Sequence, residues 1–190
     1  MVIGLAGGVG SGKSTVLDYL EDKYNFTCVR ADLIAKEVMS PGTAQNRKLK
    51  RILPKECFNS KDEINSAVLS GLLFADKNIR DKVNETVHKE VTDRIKKLIK
   101  NNKGTLVIES AIIYSSGLDR LCDEIWFVYS PKYIRRERLK RDRSYSNKKI
   151  DMIFKSQAFD DACKSKADFV IRNKGDISLA YKIIDEKIIK

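Results

Sequence analysis

The sequence predicts an α/β protein organised on a central parallel five-stranded sheet. Short β-rich runs recur at residues 2–6, 26–30, 105–109, 124–129 and 169–171, and segments of helical periodicity separate them. Size agrees: 190 residues, 42% of them hydrophobic, can bury a substantial core without a disulfide or metal staple.

The first run, Val2-Ile3-Gly4-Leu5-Ala6, is apolar throughout, as a strand covered on both faces must be. An apolar start can imitate a signal peptide, but this one has no basic leading region and runs straight into Gly-Ser-Gly-Lys-Ser-Thr. Gly7 to Ser14 then matches G-x-x-x-x-G-K-[ST], the P-loop pattern. Glycines open backbone conformations closed to other residues, so the N–H groups of Gly8, Val9, Gly10, Ser11 and Gly12 can converge on a phosphate. The helix predicted over 15–24 aims its positive end at the same point. Lys13 can neutralise the β- and γ-phosphates, the Ser14 hydroxyl can ligate a bridging Mg²⁺, and Thr15 can reach the α-phosphate. A nucleoside triphosphate is the expected guest.

The acceptor side must be read elsewhere, because a P-loop alone serves motors, switches and small-molecule kinases. Asp32 follows the second strand, and the ends of parallel strands face the ligand crevice. Its position leaves two roles open: a base that takes a hydroxyl proton, or the N-cap of a helix predicted over 33–39. Glu109 closes the run Leu106-Val107-Ile108 and is either a holder of metal-bound water or substrate, or a solvated strand-end acid. Between the second and third strands, Ile79, Val83, Val87, Val91, Ile95 and Leu98 recur every three or four residues as one apolar stripe. With Ile64, Val68 and Leu72 they predict a helical lobe over about 60–100, which holds the acceptor or serves only packing. His88, the single histidine, lies four residues after Asn84 on the flank of that helix and reads as a structural side chain or a substrate contact.

Lys and Arg number 37 against 26 Asp and Glu, for a net charge of +11. Residues 132–149 hold nine of the basic residues against Glu137 and Asp142 alone. Such a cluster suits a polynucleotide, yet only Tyr133 and Tyr145 interleave with it and no nucleic-acid motif accompanies it. Beside a P-loop, an arginine-rich lid over residues 132–150 accounts for the same charge. No nucleic-acid partner is expected. No apolar run approaches the roughly 20 residues of a membrane span, and Cys28, Cys57, Cys122 and Cys163 make no C-x-x-C pair, so a cytoplasmic setting is expected.

Taken together these residues resemble the dephospho-CoA kinase family from end to end. Residues 3–14 are similar to its opening strand and P-loop, and Ala31-Asp32-Leu33-Ile34-Ala35-Lys36-Glu37-Val38 with Pro41-Gly42 resembles the segment that carries its catalytic Asp. Asn84 to His88 resembles an Asn-x-x-x-His element of the acceptor lobe. Arg138-Leu139, Arg143 and Gln157 resemble the lid, and Ala167 to Ile171 with Asn173 and Gly175 resembles the closing strand and adenine-side loop. The chain departs from the family at Arg30, where a second Asp is frequent, and at His88-Lys89 in place of His-Pro. It also reads Glu109-Ser110-Ala111-Ile112-Ile113-Tyr114-Ser115 in place of Asp-x-Pro-Leu-Leu-Phe-Glu. The resemblance implies one P-loop kinase domain over 1–190 that uses Mg²⁺ to transfer phosphate from ATP to the ribose 3′-hydroxyl of dephospho-CoA. It makes Asp32, Lys13, Arg138 and Arg143 catalytic, with Arg141 as an alternative to Arg143, and places Asn173 on the ATP side and Asn84, His88 and Glu109 on the acceptor side. The residues alone leave open another nucleoside or nucleotide kinase, or a nucleic-acid-binding ATPase.

Overall fold

The structure, a computed structural model, describes residues 1–157 and 160–189. It divides into two compact units, Met1–Arg30 with Asn102–Lys190, and Ala31–Asn101. The first unit carries the sheet. Strands β1 (Val2–Ala6), β2 (Thr27–Arg30), β3 (Leu106–Glu109), β4 (Glu124–Tyr129) and β5 (Phe169–Arg172) run parallel in the order β2-β3-β1-β4-β5. The apolar runs explain why β1 is central: all five of its residues are buried, and it pairs with β3 through Ile3↔Val107 and with β4 through Gly4↔Ile125. A parallel strand covered on both faces has no polar side to alternate with, and β3 is likewise buried at every position.

Helix α1 (Lys13–Tyr24) follows β1 and buries Val16, Leu17 and Leu20 against Ile3, Leu5, Val107, Trp126 and Val128. Beyond β4 come α6 (Lys132–Arg143), α7 (Asn147–Ser156) and α8 (Asp160–Ser165), and α9 (Ile177–Ile188) returns after β5 to pack Ala180 and Ile184 into the same core. The second unit is helical: α2 (Ala31–Val38), α3 (Ala44–Ile52) and α4 (Ser66–Ala75) all pack on α5 (Lys77–Asn101). The expected lobe over 60–100 thus lies within a helical unit that begins at residue 31. The stripe on α5 holds at Val83, Val87, Val91 and Ile95, but Leu98 is exposed. On α4 the buried side chain is Leu69, and Val68 faces solvent. Among the described residues no helix is long and apolar enough to cross a membrane. Among the described residues Cys28, Cys57 and Cys122 form no disulfide; Cys57 is buried, and burial pushes the Cys28 and Cys122 thiols up to about 12.

A polar clamp joins the first and last helices. The Tyr19 and Tyr24 hydroxyls both donate to Asp185 Oδ1 at 2.6 Å, and Lys23 Nζ donates to Oδ2 at 2.7 Å. The Tyr19 ring stacks on Tyr181, centroids 3.8 Å apart. These donors, Lys23 first, lower the Asp185 pKa from its ordinary 3.8 to about 2. A carboxyl with a depressed folded-state pKa stabilises fully above its unfolded value and loses that effect as pH falls toward the folded one. The melting temperature of Asp185→Asn should therefore lie below that of the parent at neutral pH, with the gap closing between about pH 4 and pH 2. Thermal melts across that range check it, and a gap independent of pH would exclude the carboxylate as its source.

Candidate active site

Between β1 and α1 the chain turns through three glycines of positive φ, Gly7 (145°), Gly10 (81°) and Gly12 (96°), a region that residues with a side chain rarely adopt. Gly12 is also the N-cap of α1, which has no side-chain cap and no acid in its first turn. Helix N-termini ordinarily recruit one or the other to satisfy their N–H groups. This one presents bare amides, the arrangement that accepts an anion.

A loop that turns N–H groups toward one point turns its carbonyls the other way, and here each carbonyl from Gly7 to Gly12 finds a donor. Lys13 Nζ donates to Gly7 O at 2.9 Å, and the Ser11 N–H donates to Gly8 O at 3.1 Å. Arg135 Nε reaches Val9 O at 2.8 Å. Arg138 Nη1 bridges Gly10 O and Ser11 O at 3.3 and 3.2 Å, and Asn173 Nδ2 also bonds Ser11 O at 2.9 Å. The Val16 N–H closes the set on Gly12 O at 3.0 Å. Ser11 Oγ, by contrast, is buried with no hydrogen-bond partner among the described residues. A buried hydroxyl without a partner costs about 1–3 kcal/mol, which a phosphate oxygen would recover.

The residues singled out from sequence fall into place unevenly. Lys13 is buried and lies 3.7 Å from Glu109, so the acid expected on the acceptor side sits within ion-pair reach of the P-loop lysine. Ser14 and Thr15 are exposed in the first turn of α1. The Val9 N–H donates to Gln157 Oε1 at 2.9 Å, so this amide is engaged within the protein. Asn173, 1% exposed, receives Arg138 Nη2 at 2.9 Å and thus braces both the loop and that arginine. Burial, reinforced by Arg141, lowers the Arg138 pKa, but a guanidinium stays charged. Arg141 is exposed and bound to Asp142, and Arg143 is the exposed last residue of α6.

Asp32 is not the N-cap of a helix over 33–39. Helix α2 already begins at Ala31, directly after β2, which puts Asp32 inside its first turn as an exposed acid. There it favours the helix dipole, and its oxygens are not held by a capping bond. On α5, Asn84 and His88 are both half-buried and, four residues apart, share one face. Desolvation lowers the His88 pKa below 6.5, which keeps the imidazole neutral at pH 7.

Sequence reading missed Arg135, 4% exposed and folded against the loop. A signal was present: Arg135 and Arg138, three apart on a helix with Leu139, lie on one face and point together. Residues 173–176 also spell Asn-Lys-x-Asp, the pattern of guanine-reading loops. Here Asn173 braces the loop, and Asp176 caps α9 by accepting from the Ser178 N–H at 2.9 Å. Next to Gly7 lies a cavity of about 430 Å³, lined by Ala6, Ile112, Ile113, Tyr114, Phe127, Cys163 and Lys166 among others. Its mostly apolar wall with a few polar groups is the usual make-up of a small-molecule site.

For a metal, the described residues hold no cluster of three or more His, Cys, Asp or Glu. The donor on offer is the exposed Ser14 hydroxyl, a hard oxygen. That fits Mg²⁺, which keeps several waters and takes most of its ligands from phosphates.

Lys13 and Glu109 pair in a buried setting, and breaking such a pair by removing one partner costs roughly 3–5 kcal/mol. Lys13→Met should lose both stability and activity. Lys13→Met/Glu109→Gln should regain most of the melting temperature while turnover stays about 10²-fold or more below the parent, the scale of a lost electrostatic stabiliser. Recovery of turnover in the double variant would remove Lys13 from the chemistry.

The chain is similar to known proteins over nearly its whole length. The model of the dephospho-CoA kinase family matches residues 1–178. A dephospho-CoA kinase of Bacillus licheniformis is 32% identical over 182 residues, 93% of this chain and 90% of the relative. Among solved structures, a Thermus thermophilus protein superposes with a TM-score of 0.86 at 20% identity, covering 100% of this chain and 96% of that one. A dephospho-CoA kinase from Campylobacter jejuni gives 0.68 at 18% identity over 98% and 96%. At such identities the structures speak to the fold alone, a parallel sheet with flanking helices.

Proposed function

This chain belongs to the dephospho-CoA kinase family, which phosphorylates a hydroxyl of dephospho-CoA in coenzyme A biosynthesis, and on that basis we propose how its residues divide the work. The family match over residues 1–178, with the P-loop at its head, carries the reading. ATP places its phosphates in the cradle of Gly7 to Ser14, where α1 amides and the unpartnered Ser11 Oγ meet the oxygens. Lys13 supplies positive charge to the β- and γ-phosphates. Ser14, with the phosphates, would hold the divalent metal, Mg²⁺, which when bound would supply neutralisation of the charge on the phosphates.

Asp32 is the general base. It takes the proton of the ribose 3′-hydroxyl as that oxygen bonds to the γ-phosphorus, and the bond from that phosphorus to the bridging oxygen breaks to release ADP. Its carboxylate suits this role because it sits just beyond the carboxyl end of β2, exposed and without a capping bond. Asn84, His88 and Glu109 orient the acceptor, with His88 neutral and therefore able both to donate and to accept. The cavity at Tyr114 and Phe127 takes an apolar or aromatic part of dephospho-CoA. Arg138 and Arg143 bring cationic charge to the phosphates. Two arginines of α6 already serve P-loop carbonyls, which accounts for part of the basic segment without a polynucleotide.

A coupled ADP-release assay tests the assignment. Dephospho-CoA should elicit turnover that a nucleoside panel, duplex DNA and RNA do not, ATP should outperform GTP, and chelation of divalent metal should abolish turnover until Mg²⁺ is restored. Asp32→Asn should keep its melting temperature and its affinity for ATP while turnover falls about 10²-fold or more, the scale of a lost general base. An Asn variant that retains most of its turnover would move the base elsewhere, first to Glu109.

A further inference from the structure

Arg135 is a buried cation whose guanidinium is occupied by the protein itself. Its Nε donates to Val9 O at 2.8 Å, one Nη donates to Gln157 Oε1 at 3.0 Å, and the group stacks 4.8 Å from the centre of the Phe154 ring. Gln157 Oε1 accepts a second bond, from the Val9 N–H at 2.9 Å. Both polar groups of residue Val9 are thus gripped from outside the loop, its N–H by Gln157 and its C=O by Arg135, and the two gripping side chains are bonded to each other. Desolvating an arginine is costly unless its donors are met, and these bonds help to meet them.

Gly8 supplies an independent observation. It is a glycine without a positive φ, so its conformation does not demand glycine. Space does: a Cβ built there would meet the Arg135 guanidinium at 2.1–2.5 Å. That guanidinium is the end of a long side chain, but it is tethered, and moving it aside breaks the bonds to Val9 and Gln157. The P-loop pattern leaves this position unspecified, and the arginine above it explains why this chain has glycine there.

We infer that Arg135 is a positioning residue for the nucleotide: with Gln157 it pins the Val9 peptide, fixes the tip of the P-loop, and acts on ATP through the loop backbone. This rests on the reading of the loop as the ATP site. It differs from the role of a lid arginine, because charge placed on the transferring phosphate changes kcat, whereas the shape of the cradle is felt when ATP binds.

The experiment measures kcat and both KM values, with melting temperatures, for the parent and a set of variants. Arg135→Met keeps the stem and removes the fork; the KM for ATP should rise about ten-fold or more, the scale of a lost hydrogen bond to a charged group. The kcat and the KM for dephospho-CoA should stay within about two-fold. Arg135→Lys should not restore ATP affinity, because an ammonium cannot hold Val9 and Gln157 with one planar fork. Gln157→Leu should reproduce the defect and Gln157→Glu should not, since both groups that this oxygen serves are donors. Gly8→Ala should weaken ATP binding in the parent and add nothing in Arg135→Met, where no guanidinium remains to be displaced. If Arg135→Met does not fold, the Gln157 pair and Gly8→Ala carry the test by themselves. An unchanged KM for ATP in folded variants, a loss confined to kcat, or a full additional effect of Gly8→Ala in the Arg135→Met background would each overturn the inference. A parent enzyme that neither binds ATP nor phosphorylates dephospho-CoA would instead overturn the functional reading beneath it.

Discussion

A backbone cannot aim its amides at a ligand without aiming its carbonyls at something else, and the nucleotide-binding unit is built around answering that demand. An unmet carbonyl buried beside the sheet would cost as much as a phosphate contact gains. The six carbonyls from Gly7 to Gly12 are answered from four directions: the loop itself, α1, α6 and the loop after β5. Elements far apart in sequence must therefore arrive together before the cradle has a fixed shape. The parallel order β2-β3-β1-β4-β5 makes that convergence possible by placing β1, and so the loop that leaves it, at the middle of the sheet.

The basic surplus takes on a different meaning in this light. Read as sequence, residues 132–149 are a stretch of charge in search of an anion. In the fold, the charges on α6 separate by direction. Arg135 is withdrawn to the P-loop backbone and Arg138 half-withdrawn, whereas Lys140, Arg141 and Arg143 remain in solvent. The inward arginines act as donors of defined geometry; the outward ones raise the local potential around a site whose substrates are polyanions.

The sheet was legible because five apolar runs with helical spacers admit few other architectures, and each predicted strand agrees with an observed one to within a residue at either end. The P-loop was legible because its chemistry is written in consecutive residues. What the sequence concealed was chemistry assembled across distance. The grip of Arg135 on Val9 joins residues 126 positions apart, and that of Asn173 on Ser11 joins residues 162 apart. Periodicity misled at Leu98 and Val68, which keep the spacing of an apolar stripe but face solvent. Asp32 shows a local version of the same limit: composition could not say whether the helix began before or after it, and that single turn separates a cap from an exposed acid.

The central position of β1 also has a price during synthesis. Of the five strands Val2–Ala6 is made first, yet both of its neighbours, β3 (Leu106–Glu109) and β4 (Glu124–Tyr129), are made only after the whole helical unit. Until then a five-residue apolar strand has both edges unpaired, which is the exposure that makes late-pairing parallel sheets slow to fold and prone to aggregate. The donors to Val9, Gly10 and Ser11 come later still, from α6 and the segment after β5. A nascent chain thus carries the complete P-loop sequence long before it carries a P-loop, and its dependence on chaperones should be greatest in that interval.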